Sequence, residues 1–269
     1  MGNDRTKIII EREKNMKLFF RKYGEGQPLI ILHGLFGQSD NWNTLAKKMA
    51  ESGIQVYTVD LRNHGQSPHS EEMNYKVMAE DVKELLDAEQ VQLPVILGHS
   101  MGGKVAMMFD AIYPGLLKKI IVADILPKRY PAGHTEVFRA LNAVNFDVVK
   151  TRKEAEDILR QYLKDEAVIQ FLLKNIYWET ADKLNWRFYL KAIQNNYEEI
   201  LGEIPPFVSH TRALFICGEK SSYIQKGEEE LIKRYYPDAE LVSIPNAGHW
   251  VHAEQPQLFM QVVMEFLRR

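Results

Sequence analysis

Short, continuous apolar runs punctuate this chain, and most are separated by longer segments whose apolar residues return every third or fourth position. The first kind reads as strand buried on both faces, the second as helix packed along one side. The predicted inner strands are Pro28–Leu32, Val56–Asp60, Val95–Leu97, Lys119–Ala123, Arg212–Cys217 and Glu240–Ile244. Helical periodicity falls around Trp42–Ala50, Tyr75–Ala88, from Met101 to about Tyr113, near Glu228–Tyr236 and from Pro256 to Leu267. Lys7–Ile10 and Lys17–Tyr23 predict an opening antiparallel pair. Such alternation builds a mostly parallel sheet, here of eight strands, with helices on both faces.

The alternation stops after Pro127. Strand signals are weak from there to about His210, and helical periodicity takes over in Glu136–Asn145, Lys153–Leu163, Glu166–Asn175 and Trp186–Asn195. Residues 128–207 therefore read as a helical cap inserted into a sheet core made of 1–127 and 208–269, with Pro205-Pro206 marking the return. The plainer alternative is that these helices complete the main core. In a cap, Phe138, Phe146, Phe171, Tyr177, Trp178, Trp186 and Tyr189 would offer an apolar wall to an acyl chain. For any one of them, ordinary core packing is the simpler expectation.

The strongest chemical signal is Gly98-His99-Ser100-Met101-Gly102, which follows the strand Val95–Leu97 and opens a helix. A serine on so sharp a turn adopts strained backbone angles, and side chains two positions to either side would collide, so glycine is needed there. The turn lifts the hydroxyl above the sheet edge and aims the Met101 amide at a developing oxyanion. Three further segments fall at the same sheet edge. The strand Pro28–Leu32 ends in His33-Gly34-Leu35-Phe36-Gly37, whose Leu35 amide, with Phe36 second in line, would complete an oxyanion hole with Met101. Val56–Asp60 runs into a turn-rich loop, Leu61-Arg62-Asn63-His64-Gly65-Gln66-Ser67-Pro68. Asn246-Ala247-Gly248-His249-Trp250 follows the last strand.

In type, order and spacing these four loops resemble the α/β-hydrolase family across nearly the whole chain. Ala123-Asp124-Ile125-Leu126-Pro127 and Gly248-His249-Trp250-Val251-His252-Ala253-Glu254 resemble one branch of it more closely. That branch contains small bacterial esterases with acyl-CoA thioesterase activity, mitochondrial abhydrolase-domain esterases and a yeast ethanol acetyltransferase. The resemblance implies the α/β-hydrolase fold and acyl-transfer chemistry without a cofactor.

A serine hydroxyl needs a base, and neutral histidine suits the task. Among eight histidines, His249 sits on a loop after the final strand, where this fold brings a side chain over the serine. His33 reads as part of the oxyanion loop, and His99 should point away from Ser100. His252 follows His249 by three positions with no further ligand cluster, which argues against a metal. The acid is less plain. In many members of the family it follows the strand Phe215-Ile216-Cys217, but Ser221 stands there. Asp124, at the end of the preceding strand, is the better candidate, and the resemblance supports it because the acid of that branch also follows the earlier strand. Glu219 is the rival, and Asp60 reads as a turn organiser.

The expected reaction is two-step acyl transfer by Ser100, His249 and Asp124 on a small-molecule ester or thioester. Lys128-Arg129 would meet the phosphates of a coenzyme A thioester, although two basic residues on a loop are ordinarily just solvated. Two other readings remain open. A hydrolase-fold synthase or lyase of menaquinone biosynthesis would use Ser100 and His249 as a base and need cations such as Arg62 or Arg129 in its pocket. A slow-turnover ligand receptor or signalling module would keep these residues and bind a protein partner.

Composition narrows the field further. A chain of 269 residues suffices for one such domain with an insertion, and a net charge of −2 gives no electrostatic reason to expect nucleic acid or an anionic membrane. No run approaches membrane-spanning length. The lone Cys217 sits in an apolar run and has no partner for an internal disulfide. Residues 1–15 are charged and lack a signal-peptide core, so the cytoplasm is the expected location.

Overall fold

The computed structural model describes residues 16–269. The chain opens with β1 (Phe20–Tyr23) and β2 (Gln27–Leu32), then α1 (Asn43–Ala50), β3 (Ile54–Val59), α2 (Tyr75–Ala88), β4 (Val95–His99), α3 (Met101–Ile112) and β5 (Lys119–Ala123). A second stretch carries α4 (Thr135–Ala143), α5 (Arg152–Tyr162), α6 (Glu166–Leu173), β6 (Ile176–Trp178), β7 (Leu184–Trp186), α7 (Leu190–Asn195) and α8 (Tyr197–Leu201). The chain closes with β8 (Arg212–Gly218), α9 (Glu229–Tyr235), β9 (Glu240–Ile244), α10 (Val251–Glu254) and α11 (Pro256–Arg268).

Among the described residues the main sheet has seven strands in the order β1-β3-β2-β4-β5-β8-β9, parallel except for β1 against β3. The eighth expected strand, Lys7–Ile10, lies outside the described residues. Period-two alternation sorts each inner strand between two cores. Ile30, Leu32 and Ile96 face the side covered by α2 and α3, while Leu29, Ile31, Val95 and Leu97 face α1 and α11. Because both faces are dry, these strands read as unbroken apolar runs.

The order also locates the site. From β2 the chain winds one way to β3, then crosses back over β2 to β4 and continues to β5. Where the winding reverses, the loops leaving the carboxyl ends of β2 and β4 part and open a crevice. The glycine-rich loop after β2 and the Ser100 turn after β4 flank it.

Between β5 and β8 the chain adds no strand to this sheet. Local signals set its helices: Thr151 and Glu154 form a reciprocal cap at the start of α5, and the Asp165 side chain accepts from the Ala167 and Val168 amides at the start of α6. Two corrections apply here. Ile176–Trp178 pairs antiparallel with Leu184–Trp186, where the sequence shows no strong strand signal. The helix expected from Trp186 begins instead at Leu190. Leu184 and Trp186 are buried on either side of a half-buried Asn185, which is strand periodicity in a segment too short to announce it. Buried side chains of this insertion, including Phe138, Leu141 and Trp186, run on continuously from the core over α2 and α3.

Candidate active site

Ser100 stands between β4 and α3 with φ 52° and ψ −120°. A Cβ on Gly98 would lie 2.1 Å from the Gly102 carbonyl oxygen, and one on Gly102 would lie 2.3 Å from that of Leu32. No side chain fits at either position. The Ser100 amide donates to the Ala123 carbonyl at 2.9 Å, tying the turn to β5. Phe36, Asp124 and Asn246 also carry positive φ, of 60°, 54° and 59°, on the loops after β2, β5 and β9. Backbone strain thus gathers at one edge of the sheet, where a rigid surround can hold functional side chains in place.

Three of the residues expected at the site come together there. His249 Nε2 lies 3.0 Å from Ser100 Oγ, and its Nδ1 donates to Asp124 Oδ2 at 2.7 Å. With the Nδ1 proton committed to a carboxylate, Nε2 is free to accept from the serine hydroxyl. Asp124 is fully buried. Its Oδ1 accepts from the Gly218 amide at 3.1 Å, and its Oδ2 also accepts from Ser221 Oγ. Ser221, standing where many relatives of this fold place the acid, therefore supplies a donor to it. Glu219 is not at His249: its Oε2 accepts from the Asn246 amide at 2.9 Å on the exposed side. Asp60 organises its turn, accepting from the Ser39 and Gln66 amides.

The rest of the histidine's surroundings fix its pose. Tyr223 stacks on the His249 ring at 3.7 Å between centroids and 14° between planes. His99 turns away from the serine hydroxyl, and its Nε2 donates to the His249 carbonyl at 2.8 Å. His252 stacks on Trp42 at 4.1 Å. Among the described residues no group of three or more His, Cys, Asp or Glu side chains is arranged to hold a metal ion.

The glycine-rich loop is stapled from behind by two buried histidines. His33 Nδ1 donates to the Gly34 carbonyl at 2.8 Å, and its Nε2 accepts from the Leu61 amide at 3.0 Å. His64 Nδ1 donates to the Arg62 carbonyl at 2.9 Å, and its Nε2 accepts from the Phe36 amide at 3.2 Å. The Phe36 amide is therefore taken. The Leu35 and Met101 amides meet no acceptor among the described residues, and both residues line the cavity over Ser100.

Both histidines can accept in this way only when neutral. Burial pushes His33 down to about 4 and His64 to about 3, with His33 adding to the effect on His64. Burial likewise lowers His252 to about 3 and holds His99 well below its ordinary value. In the unfolded chain each titrates near 6.5. Stability from these groups is intact above about pH 6.5 and drains as pH falls toward 4, because only the unfolded chain takes up the protons. Each contributes up to about 1.4 kcal/mol per pH unit in that window. The melting temperature is expected to fall steeply between pH 6.5 and 5. A flat profile would mean that these rings are not held neutral.

A cavity of about 1100 Å³ lies over Ser100 and His249. Val137, Val168, Phe171, Leu172 and Trp250 give it apolar wall, and Tyr130, His134, Tyr197 and Tyr223 also line it. Of the seven aromatics expected to face an acyl chain, only Phe171 lines it. The others are spent elsewhere: Phe138 packs on Phe36, Phe146 and Phe188 pack on Trp186, Arg187 covers Tyr177, Tyr189 stacks on His69, and Trp178 is exposed. The sequence carried no sign of the tyrosines, because Tyr130, Tyr197 and Tyr223 come from separate stretches of chain that only the fold brings to one cavity.

Most cations near the cavity are committed. Arg62 makes a buried two-pronged pair with Asp81 at 2.6 and 2.7 Å, so it does not line the cavity. Burial still raises Asp81 to about 6 against the opposing pull of Arg62. Lys128 is paired with Glu228 and Arg129 with Glu198. Lys104 is buried on α3, donates to the Gly202 and Leu201 carbonyls at 2.5 and 3.4 Å, and is pushed down by burial to about 7. Cys217 is buried. No helix of the described residues is long and apolar enough to cross a membrane.

Comparison with known proteins agrees with this fold. Residues 29–262 match the family model described as alpha/beta hydrolase family. The chain is 39% identical over 242 residues to the esterase YbfF of Escherichia coli, covering 89% of this chain and 92% of that protein. It is 38% identical over 255 residues to the sn-1-specific diacylglycerol lipase ABHD11 of Danio rerio, covering 91% and 80%. Among solved structures, one described as a marine microorganism esterase superposes with a TM-score of 0.91 at 44% identity, covering 94% of this chain and all of that one.

Proposed function

The chain belongs to the alpha/beta hydrolase family, and from that membership we propose that it is a serine esterase acting on short- to medium-chain carboxylic esters. The observation that carries the reading is the hydrogen-bonded line from Ser100 through His249 to the buried Asp124, at the floor of a cavity large enough for an ester. Ser100 Oγ attacks the ester carbonyl carbon while its proton passes to His249 Nε2. The carbonyl oxygen becomes an oxyanion facing the Leu35 and Met101 amides. His249 then gives its proton to the departing alcohol oxygen, leaving an acyl-enzyme. Water, activated by the same histidine, releases the acid and restores the serine.

In this reading residues 128–207 act as a cap. Val137, Val168 and Phe171 come from that stretch and wall the cavity. A walled cavity accepts an acyl chain until it is full, so kcat/KM across a series of p-nitrophenyl esters is expected to rise, peak at short or medium length and then fall. A steady rise through long chains would overturn the closed-pocket reading in favour of an open groove. Acyl-CoA thioesters of the same lengths belong in the panel, since a thioester carbonyl suits the same machinery. Lys128 and Arg129 are each paired with a carboxylate, which a coenzyme A phosphate would have to compete with. An absence of turnover on every ester and thioester, together with capture of a protein partner, would favour the receptor reading.

A further inference from the structure

We propose that His134 is a substrate-binding residue whose Nε2–H, presented on the cavity wall, donates a hydrogen bond to a second oxygen of the bound ester, beyond the scissile carbonyl. The proposal rests on the esterase reading above. It names the kind of ester the cavity prefers: one carrying an additional hydroxyl or carbonyl oxygen near the reacting group.

The argument is an accounting of protons at Tyr197. Its hydroxyl oxygen accepts from the Gly133 amide at 3.3 Å and the His134 amide at 3.2 Å, and it lies 2.7 Å from His134 Nδ1. A phenol oxygen has two lone pairs and one proton. Both lone pairs are taken, so the proton goes to Nδ1, and the ring must carry its own proton on Nε2. Burial pushes His134 down to about 4, with His249 adding to the effect, so the ring is neutral at physiological pH and this tautomer persists.

The ring is also held in place. Tyr197 meets it edge-on at 5.7 Å and 87°, and Phe36 meets it at 6.2 Å and 64°. Phe36 belongs to the glycine-rich loop after β2, so the His134 ring packs against that loop and shares the cavity with Ser100. His134 lines the cavity, and its Nε2 meets no acceptor among the described residues. Nor is it among the polar atoms sealed from solvent without a partner. A fixed, neutral, unspent donor in a largely apolar wall discriminates well, because an analogue lacking the matching oxygen leaves it unpaired.

The test compares the wild type with H134F, H134Q and Y197F on three butyrate-sized esters: n-propyl butyrate, glyceryl 1-butyrate and ethyl 3-hydroxybutyrate. The last two carry the extra oxygen on the alcohol and acyl sides respectively. H134F is expected to lower kcat/KM about tenfold on at least one oxygenated ester while changing n-propyl butyrate less than about threefold. H134Q, which keeps an N–H at similar reach, should recover most of the loss. Y197F, which releases the tautomer, should show part of it. Equal losses on all three esters, or none, would overturn the proposal. If H134F does not fold by circular dichroism, H134Q against the shorter H134N gives the same comparison. A wild type that turns over none of the three would instead fail the esterase reading itself.

Discussion

Ser100→Ala is expected to abolish ester turnover, with a loss on the order of a millionfold in kcat, the scale seen when a serine hydrolase loses its nucleophile. The change removes one oxygen and keeps the Cβ, so the turn between β4 and α3 retains its shape. Gly98 and Gly102 still give the room the turn needs, and the Ser100 amide bond to Ala123 is made by the backbone. Binding and the two open amides remain, so a small residual rate above water is expected. The wild type should also become covalently labelled by a fluorophosphonate, and the variant should not. Turnover near the wild-type rate from a variant folded by circular dichroism would remove Ser100 from the nucleophile's role and the proposed mechanism with it.

How much of this could be read from the chain alone depended on whether the governing interaction was local. β2, β4, β5 and β8 are covered on both faces and so appear as unbroken apolar runs. The Ser100 turn was legible because steric demand fixes glycine at neighbouring positions in sequence. β6 and β7 were not legible, since three residues cannot establish a period. Tyr197 and His134 lie 63 positions apart, and Tyr223 reaches His249 from a different loop. The first relation exists only once residues 134 and 197 are brought together by folding, and the second only once the loops after β8 and β9 meet at the sheet edge. Ser221 is the instructive case. Its place in the sequence showed what the β8 loop lacks, but only the fold brings its hydroxyl to Asp124, 97 positions earlier.

That contact sharpens the second large expected effect, on the acid. Asp124→Asn should lower kcat by roughly ten-thousandfold, the scale of the same change in a serine protease triad. Asp124 accepts three hydrogen bonds, from His249, Ser221 and Gly218, and is fully buried, so no water can take over the task. The Gly218 amide, which can only donate, would hold the asparagine oxygen at the Oδ1 position, placing the amide NH2 at the Oδ2 position toward Nδ1 and toward Ser221 Oγ, which can turn to accept. His249 would then carry its proton on Nε2 and face Ser100 with a donor where an acceptor is required. Glu219→Gln is expected to change kcat only a few-fold, because Glu219 bonds the Asn246 amide and not the imidazole. Ser221→Ala leaves the carboxylate in place and should fall between the two. The three variants assayed together on one butyrate ester decide the matter. If Asp124→Asn costs no more than Glu219→Gln, Asp124 is not the group that orients His249.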